Sequence, residues 1–249
     1  IANKNGMISN VSSGGTGGTS AYEIGGPGED EVTAVYRDAL GNKYIAGTFE
    51  LTANMEISKY DPAINISSAG AKDIFIIKLN SASETVWVKR IGGIYDDEIS
   101  AITVNGNSIY LTGSYKGTVD FNPNSWTTVN LISAGNTYDI FVLKLDTSGV
   151  FNWAKTIGSS TGYDIGNGIA TDPSGNVLVS GYYYGTADFD PNAAVINYTS
   201  VGVADIFIMK LTASGNLVWA KSIGGTNDDV GVDVISDNTG NVYHTGYFK

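Results

Sequence analysis

Apolar residues along this chain come in short runs rich in Val, Ile, Tyr and Phe, separated by clusters of Gly, Asn, Asp and Ser. No stretch shows the 3.6-residue period and end caps of a helix. Between Asp97 and Ser160 the runs read as strands in order. Ile99 to Val104 and Ile109 to Tyr115 flank Asn105-Gly106-Asn107, which predicts a hairpin. Asp139 to Leu145 is apolar on both faces, as expected of a strand covered on two sides by neighbouring sheets. Asp146-Thr147-Ser148-Gly149 then turns into Phe151 to Ile157. Elsewhere the first turn is Asp172-Pro173-Ser174-Gly175-Asn176 or Asp237-Asn238-Thr239-Gly240-Asn241, with Asp at its start and Gly where a positive φ is needed. The unit is a four-stranded antiparallel meander.

That unit recurs at an interval of 66 residues. One phrase appears as Asp73-Ile-Phe-Ile-Ile-Lys78-Leu79, Asp139-Ile-Phe-Val-Leu-Lys144-Leu145 and Asp205-Ile-Phe-Ile-Met-Lys210-Leu211. A second appears as Trp87-Val-Lys-Arg-Ile-Gly92, Trp153-Ala-Lys-Thr-Ile-Gly158 and Trp219-Ala-Lys-Ser-Ile-Gly224. A constant period of tens of residues marks stacked supersecondary units, none able to bury its apolar face alone. The fold class predicted is all-β, a β-propeller of four-stranded blades. A four-stranded blade needs about 40–45 residues, and the excess here lies between the second and third strands. Those inserts run from Glu50 to Lys72, Lys116 to Tyr138 and Tyr184 to Ala204, and the middle one carries a small extra hairpin, Thr118–Phe121 with Thr128–Ile132. Whole blades are expected at about 30–91, 97–157 and 164–223. Partial blades flank them: Ser20–Gly26 aligns with a fourth strand, and two strands end at Lys249. Residues 19–249 thus read as the propeller segment, one stretch of a longer propeller in preference to a four-bladed ring. Residues 1–18, with Ser12-Ser-Gly-Gly-Thr-Gly-Gly18, read as a flexible linker.

The two phrases, the Ser-Gly-Asn turn and Gly240-Asn241-Val242-Tyr243-His244-Thr245-Gly246-Tyr247-Phe248 together resemble the SBBP-type bacterial β-propeller repeats. The resemblance covers nearly everything after Thr19. It implies a large secreted or cell-surface protein, of a kind frequent in Bacteroidota and often without assigned activity. Two places depart from the pattern: Ser20 stands where the other copies have Trp, and the first insert reads Asn54-Met-Glu-Ile against Asp120-Phe-Asn-Pro and Asp188-Phe-Asp-Pro.

Composition narrows the function classes. The chain of 249 residues has no Cys, so disulfides, thiol catalysis and Cys-ligated metals are excluded. A net charge of −11 argues against nucleic acid and anionic membranes as partners, and no apolar run reaches the length of a membrane span. The 32 glycines go with an apolar fraction of 42%, and mark turns more than disorder. The first residue is Ile1, so a processed chain or a fragment is expected.

Meander topology puts the second-to-third and fourth-to-first connections on one rim. Three acidic series meet there: Asp30, Asp97, Asp164 and Asp229; Asp73, Asp139 and Asp205; and Asp120, Asp188 and Asp190. An acidic rim is therefore expected, with Lys78, Lys144 and Lys210 on the opposite one. The Asp residues also suit a purely structural task, closing turns by accepting backbone N–H groups. Candidate Ca²⁺ ligands are Asp120, Asn122, Asn124, Asp188, Asp190 and Asn192, which place oxygens at alternate positions. The central Gly and distal Glu of a calcium loop are missing. The Trp87, Trp153 and Trp219 series reads as core packing before sugar stacking. Aromatics that break the repeat, Trp126, Tyr182 and Tyr184, are the better binding candidates. Catalytic residues are not identified. The single His244 stands where other copies have Ile45, Leu111 and Val179. Repeated carboxylates do not supply the two unlike environments a glycosidase needs.

The sequence thus points to a non-enzymatic binding or scaffold module, extracellular or on the cell surface, using the acidic rim toward a protein or a surface glycan. It would take no resident cofactor, Ca²⁺ excepted, and would belong to a longer chain or complex. A carbohydrate-binding adhesin and a hydrolase or lyase using rim carboxylates are the alternatives.

Overall fold

In a computed structural model, residues 6–10, 20–58, 60–124 and 126–249 are described. They are almost wholly β. Strands β1 (Gly6–Asn10) and β2 (Ser20–Ile24) form a first hairpin. The first four-stranded sheet contains β3 (Glu31–Arg37) and β4 (Lys43–Phe49); after an insert hairpin of β5 (Thr52–Asn54) and β6 (Asn65–Ser67), it is completed by β7 (Asp73–Leu79) and β8 (Thr85–Ile91). The second is built from β9 (Glu98–Asn105) and β10 (Ser108–Lys116), the insert β11 (Thr118–Asp120) and β12 (Asn130–Ile132), then β13 (Tyr138–Asp146) and β14 (Phe151–Ile157). In the third, β15 (Ile165–Thr171) pairs with β16 (Val177–Asp188), β16 with β17 (Asn197–Leu211), and β17 with β18 (Leu217–Ile223). Here the insert hairpin is continuous with the blade, so β16 and β17 run 12 and 15 residues. A last pair, β19 (Val230–Ser236) and β20 (Val242–Tyr247), follows.

Every four-stranded sheet is an antiparallel meander in the order first, second, third, fourth strand. Of the expected linker 1–18, only residues 6–10 are described, and they are a strand with a partner: Gly6 opposes Ile24 and Asn10 opposes Ser20. The backbone of β2 has hydrogen-bonding groups to satisfy along its edge, and β1 satisfies them as third strands do for fourth strands elsewhere. The Ser12 to Gly18 run lies outside the described residues. The Gly25–Asn54 bridge repeats the Gly92–Asp120 bridge, so β2 stands to the first blade as β8 stands to the second.

Blades stack face to face, with the first strands β3, β9, β15 and β19 each in contact with the next. Thr33 donates its hydroxyl to Ile99 O at 2.9 Å, and Asn167 donates Nδ2 to Gly231 O at 2.7 Å, tying first strand to first strand. The core lies between the sheets. Ile74 and Ile76 of β7 face the second blade and meet Leu111, Phe121 and Leu143, while Phe75 and Ile77 face backward onto Ile24, Phe49 and Met55. That is why third strands read as apolar on both faces. Burying large side chains at about 1.5–3 kcal/mol each makes these seams the main source of stability.

The repeated glycine of the second strand has a geometric cause. A Cβ on Gly47, Gly113 or Gly181 would sit 1.8, 2.0 or 1.9 Å from a carbonyl oxygen of the first strand. In each blade a first-strand bulge lies beside that glycine.

Candidate functional site

Two of the three Asp series expected to form an acidic surface are buried, while Asp120, Asp188 and Asp190 of the inserts are half-buried. Asp30, Asp73, Asp97, Asp139, Asp164, Asp205 and Asp229 are all at most 3% exposed. Each of the fourth-to-first series closes a turn with Oδ2, which accepts from Gly26, Gly93, Ser159 and Gly225 N–H at 2.5–2.7 Å. With Oδ1 the later members also hold the end of the second strand, accepting from Lys116, Tyr184 and Lys249 N–H at 3.2, 2.7 and 3.2 Å. Asp73 and Asp139 accept from Ala69 and Ala134 N–H, both at 2.9 Å. Their neighbours leave no room for more: a Cβ on Gly92, Gly158 or Gly224 would reach the carboxylates of Asp73, Asp139 and Asp205 at 2.2–2.4 Å. The Ile-Gly of the repeated phrase is therefore part of the carboxylate's packing. Burial pushes Asp97 and Asp139 up to about 7 and Asp164 up to about 6, against the backbone hydrogen bonds that favour the charged form. The turn-closing role weighed for these residues is what the structure shows. The acidic rim built from them is corrected, because carboxylates wrapped by backbone are not a surface.

The oxygens suggested for Ca²⁺ hold their own loops in shape. Asp120 Oδ1 accepts from Asn122 and Val129 N–H at 3.0 and 2.8 Å; Asn122 Oδ1 accepts from Asn124 N–H at 3.1 Å. Asp188 and Asp190 repeat this toward Asp190, Ile196 and Asn192 N–H at 3.0, 2.8 and 3.0 Å. A lysine then takes the last oxygen, Lys89 on Asn124 at 3.1 Å and Lys155 on Asn192 at 2.7 Å. The first insert reaches the same shape despite its divergent sequence, since Asn54 Oδ1 accepts from Glu56 and Ile64 N–H at 3.1 and 3.0 Å. These are Asx turns in series.

The repeated Lys and Trp form a clamp between blades. Lys78 Nζ and Trp87 Nε1 both donate to Thr147 O of the next blade, at 2.7 and 3.3 Å. Lys144 and Trp153 do the same to Ala213 O at 2.9 and 3.2 Å. Trp87 and Trp153 pack partly buried against the core, so they are seam residues.

Aromatics that break the repeat fall in two places. On the fourth-to-first rim, Tyr138 stacks on Tyr163 at 5.1 Å between ring centroids, and Lys116 Nζ lies 5.0 Å from the Tyr95 ring centre and 5.7 Å from that of Tyr138. Tyr138 donates its hydroxyl to Asp96 at 3.4 Å. Tyr182 and Tyr184 are half-buried and meet edge to face at 6.1 Å; Tyr184 lies over Gly162, beside Tyr163 and Tyr247. Burial together with the neighbouring tyrosines pushes Tyr182 up to about 12. Tyr163 and Tyr247 are exposed. Tyr95, Tyr138 and Tyr163 were not singled out from the sequence, because they occupy different repeat positions and meet only across a seam.

Trp126 lies elsewhere, on the second blade's insert, and is 91% exposed. A cleft of about 330 Å³ lies between β8 and that insert, lined by Lys89, Arg90, Asp120, Asn122, Asn124 and Thr127 among others. Arg90 pairs with buried Asp73 at 2.5 Å. The other copies have Thr156 and Ser222 here, hydrogen-bonded to Tyr115 and Tyr183 at 2.8 and 2.7 Å. Phe49 offers no hydroxyl in the first blade, and this paired change was the sequence signal for Arg90.

His244 Nε2 is buried without a hydrogen-bond partner, and burial lowers its affinity for a proton despite nearby Asp233. No group of three or more His, Cys, Asp or Glu positioned for a metal occurs among the described residues. No helix among them is long and apolar enough to cross a membrane.

No protein-family model matches the chain. The chain is 24% identical over 261 aligned positions to an uncharacterized WD repeat-containing protein of Acanthamoeba polyphaga mimivirus. The alignment covers 92% of this chain and 19% of that protein, so the chain spans about a fifth of its relative's length. A distant repeat-protein likeness and successive four-stranded antiparallel sheets agree on a propeller-like, all-β repeat architecture.

Proposed function

We propose that the chain is a non-enzymatic scaffold module that binds a protein partner through the fourth-to-first rim. The observation that carries this reading is the tyrosine surface crossing two seams, made of Tyr95, Lys116, Tyr138, Tyr163, Tyr184 and Tyr247. Tyr supplies large, amphipathic contact area at low entropic cost, and interfaces are enriched in it. Exposed Glu31 and Glu98 lie along the adjoining first strands and give the rim its remaining negative charge, which favours a partner with basic residues around an apolar centre. The likeness to a WD repeat-containing protein supports a scaffold, and the motif resemblance supports a secreted or cell-surface setting. The repeated carboxylates, committed to backbone N–H groups, favour a structural over a hydrolytic role.

The test is affinity capture from the native surroundings with the immobilised chain and with a Tyr163→Ala/Tyr247→Ala variant. The reading expects a partner held by the parent and lost from the variant, with unchanged melting temperature. Equal retention by both would remove the rim as the binding surface.

A further inference from the structure

Arg90, which breaks the repeat, lines a cleft whose other wall carries Asn124 and Thr127, the residues that bracket a second exception, Trp126, along the insert. We propose that this cleft, at the seam of the first and second blades, is a carbohydrate site independent of the tyrosine rim. A pyranose ring stacks on Trp126 and presents its hydroxyls to Asp120, Lys89 and Arg90.

Asn122 donates Nδ2 to both the carbonyl and the hydroxyl of Thr127 at 2.7 Å, and Asp120 fixes Val129 N–H beyond it. The indole that precedes Thr127 is left 91% exposed, an apolar face of the size that normally seeks cover. The cleft beside it, about 330 Å³, matches the small end of ligand sites and suits one or two sugar rings.

Its walls carry unspent polar capacity. Among the described residues, Asp120 uses Oδ1 for backbone and keeps Oδ2 without a hydrogen-bond partner; Lys89 donates to Asn124; Arg90 gives one nitrogen to Asp73 and retains further donors. A carboxylate and a guanidinium beside an exposed ring are complementary to a sugar, which has an apolar face and a hydroxyl-bearing edge. A phosphate would meet the Asp120 carboxylate, and an apolar peptide would leave these charges desolvated and unpaired. The next seam is an internal comparison. It keeps Lys155, Asp188 and Asn192 but has Thr156 for Arg90, and Ala193-Ala194-Val195 where the tryptophan loop would be.

The test is isothermal titration calorimetry of the whole chain against soluble cello-, laminari-, manno- and chito-oligosaccharides and sialyllactose. At least one should bind with a Kd below about 1 mM. Trp126→Ala should weaken it at least about tenfold with the melting temperature unchanged. Asp120→Asn should also weaken it while preserving the loop, because Asn54 closes the same turns in the first blade. Lys155→Ala at the other seam should change nothing. Absence of binding to every probe at millimolar concentration, or binding indifferent to both cleft substitutions, would overturn the proposal.

Discussion

Gly158 and Asp164 show at the residue scale how the repeated sequence spends its constant positions. A methyl group on Gly158 would overlap the Asp139 carboxylate, with 2.3 Å between Cβ and Cγ. Gly158→Ala should therefore destabilise by about 1–3 kcal/mol, read as a lower urea midpoint, because the buried carboxylate must move off Ala134 N–H. Asp164→Ala leaves two backbone N–H groups, of Ser159 and Tyr184, without their acceptor, and should cost about 2–4 kcal/mol in the same assay. That these aspartates close turns was legible, since a residue needed in every blade is usually needed to make one. Their exclusion from the surface was not. Topology put them on the rim, but which backbone donors converge on each oxygen depends on the path of the strand ends. Arg90 was equally hidden: its meaning appears only when Phe49 is seen beside it in place of Tyr115 or Tyr183.

Strand order, turn positions and the extra hairpin between second and third strands were readable from periodicity and turn chemistry, and appear in the sheets. In the third blade the hairpin merges with its strands, because Thr186, Ala187 and Asp188 pair with Thr199, Tyr198 and Asn197 directly beyond a register shift between Tyr184 and Thr186. What sequence could not supply is how one blade grips the next. Trp and Lys recur 9 residues apart, and only the structure shows both donating to one carbonyl across the seam. Trp153→Phe keeps the ring near Tyr110 but loses the bond to Ala213 O, and should cost about 1 kcal/mol. Trp153→Ala should cost about 3 kcal/mol. Thermal melts separate the two, and equal losses would assign the tryptophan's whole effect to its N–H.

For the whole molecule the buried carboxylates set a pH response. Asp97, Asp139 and Asp164, pushed up to about 7, 7 and 6 by burial, hold protons that the unfolded chain, near 3.8, releases. Their contribution is complete below about pH 4 and is lost as pH rises through 6 to 7. Asp172 runs the other way: burial raises it, but Asn176 and Lys210 more than offset this and hold it at about 2, so its contribution disappears only as pH falls toward that value. Urea midpoints should peak near pH 4 and decline as pH rises to about 7; a steady rise across that range would show that the carboxylates ionise freely in the fold. The same division of labour, in which repeated residues build blades and exceptions face ligands, is tested most directly by melting Asp164→Ala and Trp126→Ala beside the parent chain. The account predicts a midpoint lowered by roughly 5–10 °C for Asp164→Ala and unmoved for Trp126→Ala. A stable Asp164→Ala chain with a collapsed Trp126→Ala chain would contradict it.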